Sequence, residues 1–486
     1  MPWKTILTLI SFMLLPISAL MGISAAVGVP YGEGAEAFRA FGPPIAANTA
    51  FLLLMLLLGG ARRRGVESFP PRAGLLFVAL SWTAASMSGS LPFMLSGHIP
   101  SFTDAFFETM SGFTTTGATI LGDIESLPRC LLFWRSATHW LGGMGIVVLT
   151  VALFPLLGIG GFRLMEAEAP GPSVDRISAR ISGTAKRLWL VYLGLTVVET
   201  VLLMATGQDA FDAATHAFGT MATGGFSPKN ASIGHYGNPA AEWIVAVFML
   251  LAGMNFTLHY RALTGRPRAV LRDLEFRVYI LVVAAAAGAI AVDLALSGLA
   301  AGEAARSAVF QAASVITTTG YATADFALWP AFSQAVLFLL MFVGGCAGST
   351  GGGIKVVRLV ALFKMAANEL RLATRPRGVF AVVMNGRAVK KNVIYDTAAF
   401  VVIYLFLVVA GTVVVSSGGF DTTTSLTATL ATLGNIGPGL ALVGPMANYG
   451  FMPDYILWFL SFLMLAGRLE IFTVFALFLP EFWRKR

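Results

Sequence analysis

Residues 104–118 read Asp104-Ala-Phe-Phe-Glu-Thr-Met-Ser-Gly-Phe-Thr-Thr-Thr-Gly117-Ala118. About ten small or apolar residues, enough for a short helix, lead into a threonine run closed by glycine. The same order returns three times. Asp212 to Ser227 ends Met221-Ala222-Thr223-Gly224-Gly225-Phe226-Ser227, and Phe310 to Ala322 ends Thr317-Thr318-Thr319-Gly320-Tyr321-Ala322. Asp421 to Gly439 closes Thr432-Leu433-Gly434-Asn435-Ile436-Gly437-Pro438-Gly439. With Gly117, Gly224, Gly320 and Gly434 as equivalent points, the intervals are 107, 96 and 114 residues (117 to 224, 224 to 320, 320 to 434). In the last copy the 13 residues from Asp421 to Gly434 match those from Asp104 to Gly117, which sets the register on Gly434, with Gly437 the alternative. Similarity at a roughly fixed period is the mark of a repeat architecture.

The surrounding chain is apolar. Of 486 residues, 56% are hydrophobic and 12% charged, with a mean hydropathy of +0.77. Soluble domains carry about a quarter charged residues, so lipid is the main solvent here. A helix needs roughly 20 apolar residues to cross the hydrocarbon, and ten stretches qualify: 5–29, 44–60, 73–95, 130–157, 186–207, 240–263, 277–298, 332–364 (interrupted), 393–417 and 453–480. The first is too long for a signal-peptide core and reads as a span. Each glycine segment lies between two spans. The expected fold is therefore an all-α polytopic membrane protein with an N-terminal helix pair (1–64) and four membrane–pore-loop–membrane repeats (65–170, 171–268, 269–380, 381–486). Because each unit crosses the membrane twice, a closed pseudo-fourfold ring is more natural than a solenoid.

Charge sets the expected orientation. Arg62, Arg63, Arg64 and Arg72 follow the second span, Arg261 to Arg277 the sixth, Lys364 to Lys391 the eighth, and Arg484-Lys485-Arg486 closes the chain. The positive-inside rule puts these loops and both termini in the cytoplasm. The alternate loops lean acidic, from Glu33, Glu36, Asp104, Glu108, Asp123 and Glu125 to Asp209, Asp212, Glu303, Asp325 and Asp421. Either these acids concentrate cations at the mouth, or they have no reason to be elsewhere. The net charge of +8 is explained by topology and does not point to nucleic acid. Cys130 and Cys346 lack metal-ligand spacing.

Non-helical backbone at membrane depth is tolerated only where protein or a watery cavity surrounds it. A ring of carbonyls can replace the water around an ion, and glycine reaches the backbone angles that such a ring requires. A short helix can aim its negative end at a cation. The expected ion-contacting residues are Thr115, Thr116 and Gly117; Ala222, Thr223 and Gly224; Thr318, Thr319 and Gly320; and Leu433, Gly434 and Asn435.

On these segments the sequence resembles the Trk/Ktr/HKT superfamily of potassium transporters, nearest its bacterial Trk branch. The resemblance also rests on Trp134-Arg135-Ser136, Trp140-Leu-Gly-Gly-Met-Gly145, Glu168-Ala-Pro-Gly-Pro172, Thr184-Ala-Lys186 and Gly344-Gly-Cys-Ala-Gly-Ser-Thr-Gly-Gly-Gly-Ile-Lys355. It implies a bacterial cytoplasmic-membrane pore with K+ as the transported ion, glycine at four filter positions favouring potassium, a homodimer, and a nucleotide-binding cytoplasmic regulatory ring of the TrkA type. No phosphate-loop motif appears, so no organic cofactor is expected in this chain.

Two features lie within the membrane. Gly344, Gly345, Gly348, Gly351, Gly352 and Gly353 crowd ten residues, and each costs a helix about 1 kcal/mol relative to alanine. The expected result is an unwound loop, a gate by resemblance, with close helix packing as the alternative. Lys355 and Arg358 follow it and either anchor the next half-helix, take part in gating, or snorkel to the interface. Arg468 falls near the middle of the last span, where a charge needs a cavity or a partner. It either pairs with Glu470 or, by resemblance, raises a barrier under the filter. Arg135 and His139 are expected to tie the filter loop down or to snorkel rather than touch the ion, and His216 to be packed. A coupled transporter should show carboxylates within its spans, where this chain has almost none. An enzyme needs a convergent acid, base or metal set, and five scattered histidines do not supply it.

Overall fold

The computed structural model describes residues 1–58, 70–145 and 181–484. Within these, six helices are long and apolar enough to cross a bilayer, and up to eight spans result if each of two bent pairs counts as one. The leading pair, Trp3–Gly28 and Gly34–Leu57, packs against Pro71–Ser96. At the junction the Asn48 amide donates to Ser18 Oγ (3.0 Å) and Ser88 Oγ (2.9 Å), and such interhelical bonds hold helices together where lipid removes the hydrophobic drive. The second helix starts ten residues before the expected span because Pro43 and Pro44 are accommodated inside it.

The short helices precede the glycine segments as expected: Phe102–Phe113, Ala210–Met221, Ala301–Ile316 and Thr422–Leu433. Three begin alike. The side chains of Ser101, Asp209 and Asp421 accept from the amides of Asp104 (3.4 Å), Asp212 (2.6 Å) and Thr424 (3.0 Å), the usual way to satisfy a helix start. The third follows Ala300, which offers no such cap, and runs 16 residues instead of 12. Asp325 caps a short turn, and Glu33 accepts from the amides of Arg129 (2.8 Å) and Cys130 (2.9 Å). Several loop acids thus begin helices, where the dipole favours negative charge. The Thr424 hydroxyl and amide hold the Asp421 carboxyl below its usual range.

Two expected spans, the sixth and the tenth, are broken, and the eighth is interrupted as expected. The sixth breaks into Pro239–Ala252 and Phe256–Leu263, bent by 101°, because Asn255 caps a new helix start on Thr257 N (2.8 Å) after Gly253. The tenth breaks into Asp454–Arg468 and Phe472–Phe478, bent by 112°. The eighth is a helix of ten residues, Ala331–Leu340, then a loop, then Val356–Thr374. The fourth begins as Arg129–Gly143, and its continuation beyond Gly145 lies outside the described residues. So do Arg62, Arg63, Arg64, the Glu168–Pro172 stretch, Lys485 and Arg486, while Lys186 lies in the helix Ile181–Ala205. One addition to the all-α expectation is a two-stranded hairpin, Val383–Met384 with Arg387–Ala388. Its turn is Asn385-Gly386, both left-handed (φ 46° and 77°), the pairing that tight hairpins prefer. Asn385 docks it, accepting from Leu274 N (2.8 Å) and donating to Asp273 (2.8 Å).

Candidate ion pathway

The four glycine segments follow one backbone path. Each short helix ends at a C-cap: Thr114, Ala222, Thr317 and Gly434. The next residue is left-handed in every case: Thr115 (φ 53°), Thr223 (54°), Thr318 (59°) and Asn435 (54°). Two residues on, a left-handed glycine follows: Gly117 (83°), Gly225 (81°), Gly320 (83°) and Gly437 (94°). Between them the amides of Thr116, Gly224, Thr319 and Ile436 donate five residues back, to Ser111, Gly219, Ser314 and Ala431, at 2.8–2.9 Å. Left-handed threonine is unfavourable by about 1–2 kcal/mol, and strain persists only where the surroundings over-determine it.

This path corrects two of the four reference points. Gly224 is the counterpart of Thr116, and Gly434 is a right-handed C-cap (φ −80°). Gly225 and Gly437 are the true equivalents of Gly117 and Gly320. The 13-residue match misleads because Asp421 is itself the cap, whereas Asp104 lies within the first turn of its helix. Counted from the caps, 16 residues separate cap and glycine (101 to 117, 209 to 225, 421 to 437). Leu433 is the last residue of its helix.

The segments meet in cyclic order. A Cβ at Gly117 would strike the Gly224 carbonyl, at Gly225 that of Thr319, at Gly320 that of Ile436, and at Gly437 that of Thr116. First touches second, second third, third fourth, and fourth first. Only glycine fits each corner, on both conformation and space.

A rigid shell holds this cycle. Arg135, buried on Arg129–Gly143, donates to Glu108 (2.6 Å) and to the Ser227 carbonyl (3.0 Å), with its guanidinium over the Phe226 ring. Glu108 also accepts from Thr119 Oγ1 and Ile120 N (2.9 and 3.0 Å). The acid expected at the mouth is therefore a buried tie between two segments, a role that only the fold reveals. His139 Nδ1 contacts the Gly112 carbonyl (2.8 Å), and His216 bridges the Asp212 carbonyl (2.8 Å) and Ser227 Oγ (2.9 Å). Arg135 and His139 tie backbone down rather than snorkel, and His216 is packed, as expected. Removing one partner of a buried pair strands the other, at a cost of about 3–5 kcal/mol. Accordingly, Glu108→Ala should lower the detergent-solubilised melting temperature clearly; an unchanged melting curve would rule out this tie.

The loop between the halves of the eighth span lies against the inner ends of these segments. Gly352 N donates to Thr318 Oγ1 (2.7 Å), Thr350 Oγ1 to the Met221 carbonyl (3.1 Å), and a Cβ at Gly352 would meet the Gly434 carbonyl. Its other side binds the break in the sixth span, through Cys346 N to the Gly253 carbonyl (2.8 Å) and Phe256 N to the Gly348 carbonyl (3.0 Å). Gly348 (φ 72°) and Gly353 (φ 64°) are left-handed. Gly344 and Gly345 close the loop's base, donating to and accepting from the Ile354 and Val356 backbone (2.8 and 3.2 Å). Close packing of a continuous helix is excluded.

Lys355 and Arg358 are buried, 8% and 6% exposed, so neither snorkels. Lys355 Nζ donates to the Gly351 carbonyl, and Arg358 pairs with Glu470. Arg468 is not mid-helix: it ends Asp454–Arg468. It donates to the Thr350 carbonyl (2.5 Å) of the loop and to the Gly142 and Gly143 carbonyls (2.7 and 2.9 Å). Glu470 is thus the partner of Arg358, not of Arg468. Lys355 and Arg468 share a cavity of about 150 Å³ with Trp82, Gly143, Gly348 and Gly351.

Comparison with known proteins agrees with this architecture. Residues 61–485 match the TrkH family, described as cation transport protein. The Trk system potassium uptake protein TrkH of Escherichia coli K12 is 39% identical over 100% of both chains. TrkI of Halomonas elongata is 36% identical, covering 99% of this chain and 97% of its own. The crystal structure of the potassium transporter TrkH from Vibrio parahaemolyticus superposes with a TM-score of 0.87 at 36% identity, covering 100% of both chains. The chain is a multi-pass membrane transport protein, not an enzyme, and it belongs to the TrkH cation transport family.

Proposed function

We propose that this chain takes up potassium across a bacterial cytoplasmic membrane, through a central pore walled by four repeats in a pseudo-fourfold ring. The observation that carries the reading is the closed cycle of Gly117, Gly225, Gly320 and Gly437. Carbonyls of the adjoining residues supply oxygens to a dehydrated cation. The basic loops face the cytoplasm with both termini, and the loop at 344–353 with Arg468 restrains flow. Regulation comes from a nucleotide-binding cytoplasmic ring, and the working unit is a homodimer; the curated relatives are named as Trk system proteins, which supports a multi-component assembly. Rescue of a potassium-uptake-deficient bacterium at low potassium, with and without the candidate ring, tests the proposal. Rescue by sodium alone, or none under any condition, overturns it.

Coupling to protons is a second reading, favoured by one observation. Glu199, fully buried in Ile181–Ala205, has both oxygens without a hydrogen bond among the described residues. Thr220 on the adjacent pore helix spends its hydroxyl on the His216 carbonyl (2.9 Å). An ionisable residue inside a membrane is by default a functional site. Under this reading Glu199→Gln abolishes proton movement accompanying potassium uptake in proteoliposomes. Identical proton traces in mutant and wild type rule it out.

A further inference from the structure

On the side that carries the basic loops, a cavity of about 580 Å³ opens among the second, third and fourth repeats, beside the loop at 344–353. Its size suits a small ligand or a lipid headgroup. Arg261, Arg358, Arg387 and Lys390 bring four cations to its wall against two carboxylates, Asp273 and Glu275.

Both carboxylates are already engaged. Asp273 caps Leu274–Leu296 on Phe276 N (2.9 Å) and accepts from the Asn385 amide of the hairpin (2.8 Å). Glu275 accepts from Ala347 N (2.7 Å) and Val357 N (3.0 Å), so one oxygen holds both ends of the intramembrane loop. Two of the cations, Arg387 and Lys390, are not balanced in the same way. The side chains of Arg387 and Lys390 make neither ion pair nor hydrogen bond among the described residues, and Nη1 of the buried Arg358 has no partner. In addition, Lys391–Ser416, a helix of 26 residues, begins at this wall with no side-chain cap on its first amides. Such a start attracts anions. The lining therefore combines excess positive charge, a buried guanidinium nitrogen without a partner, and an open helix start.

We propose that this cavity binds a phosphate group carrying net negative charge. The group sits on Arg387, Lys390 and the start of Lys391–Ser416, with Arg358 behind it. Arginine and lysine at the end of a membrane helix are the usual readers of anionic headgroups, and a free phosphate or phosphate ester offers the same chemistry. Because Val357 and Arg358 belong to the helix that leaves the loop, occupancy bears directly on the segment beneath the glycine cycle.

The full chain, purified in detergent, distinguishes the sources. Native mass spectrometry against phosphatidylglycerol, phosphatidylcholine and inorganic pyrophosphate should show one tightly retained ligand per chain. If the source is lipid, phosphatidylglycerol is retained at about tenfold lower concentration than phosphatidylcholine; if it is soluble, pyrophosphate is retained instead. In either arm Arg387→Gln with Lys390→Gln lowers retention at least fivefold, while Arg375→Gln with Arg377→Gln leaves it unchanged, and unaltered melting of both variants shows that they are folded. Retention of no anion above phosphatidylcholine, or retention equal in the two variants, overturns the site.

Discussion

Gly437→Ala is expected to reduce potassium uptake by at least tenfold, whereas Gly434→Ala should stay within about threefold of wild type. The contrast comes from backbone alone. Gly437 is left-handed (φ 94°), and a Cβ there would meet the Thr116 carbonyl of the first segment. Alanine must either accept a conformation unfavourable by roughly 1–2 kcal/mol or displace a carbonyl that faces the cycle. Gly434 is right-handed, and an added methyl would meet chiefly its own helix and the flexible end of Ile436. Initial uptake rates at matched expression decide the matter. Equal loss in both variants would return the fourth register to Gly434.

Arg468→Ala should raise cation flux about tenfold or more. Hydrogen bonds to a charged group contribute about 1.5–3 kcal/mol, and among the described residues Arg468 makes three, two to the end of Arg129–Gly143 and one to Thr350 of the loop. Losing them releases the loop on the side opposite Gly253 and also removes a positive charge from the cavity below. Arg468→Lys separates the two effects. Lysine keeps a compact charge but cannot span both partners as the guanidinium fork does. If the tether dominates, the lysine variant behaves like alanine; if charge dominates, it behaves like wild type. Flux in both variants equal to wild type, at equal expression, would count against any role in restraint.

The repeat was legible because each copy couples a short apolar helix to a threonine–glycine run, and that coupling survives divergence. Register was harder to read. Gly224-Gly225 and Gly434 to Gly437 each offer two glycines, and handedness, invisible in composition, chooses between them. The breaks at Gly253 and Arg468 were missed because hydropathy averages across a bend. The Asn255 cap and the Asn385-Gly386 turn were signals that could have been used. The pairing roles of Glu108 and Glu470 depend on partners 27 and 112 residues away, beyond any local pattern. Snorkelling, one of the three readings of Lys355 and Arg358, could not be dismissed from sequence because the carboxylate that holds Arg358 lies 112 residues away, although the Gly351 carbonyl that holds Lys355 is only four residues back.

The cyclic contact of the four glycine segments also bears on how variants combine. Each corner borrows its space from the next segment, so a side chain added at one corner shifts a carbonyl that abuts the following glycine. Residues that share a contact do not contribute independently. A second substitution at a neighbouring corner should therefore be non-additive with the first, since the displaced carbonyl belongs to the peptide bonded to that neighbouring glycine. Substitutions across the cycle, at Gly117 with Gly320 or Gly225 with Gly437, should lie closer to additivity. Thermodynamic cycles over the adjacent and diagonal pairs would thus reveal whether selectivity belongs to single residues or to the circuit as a whole.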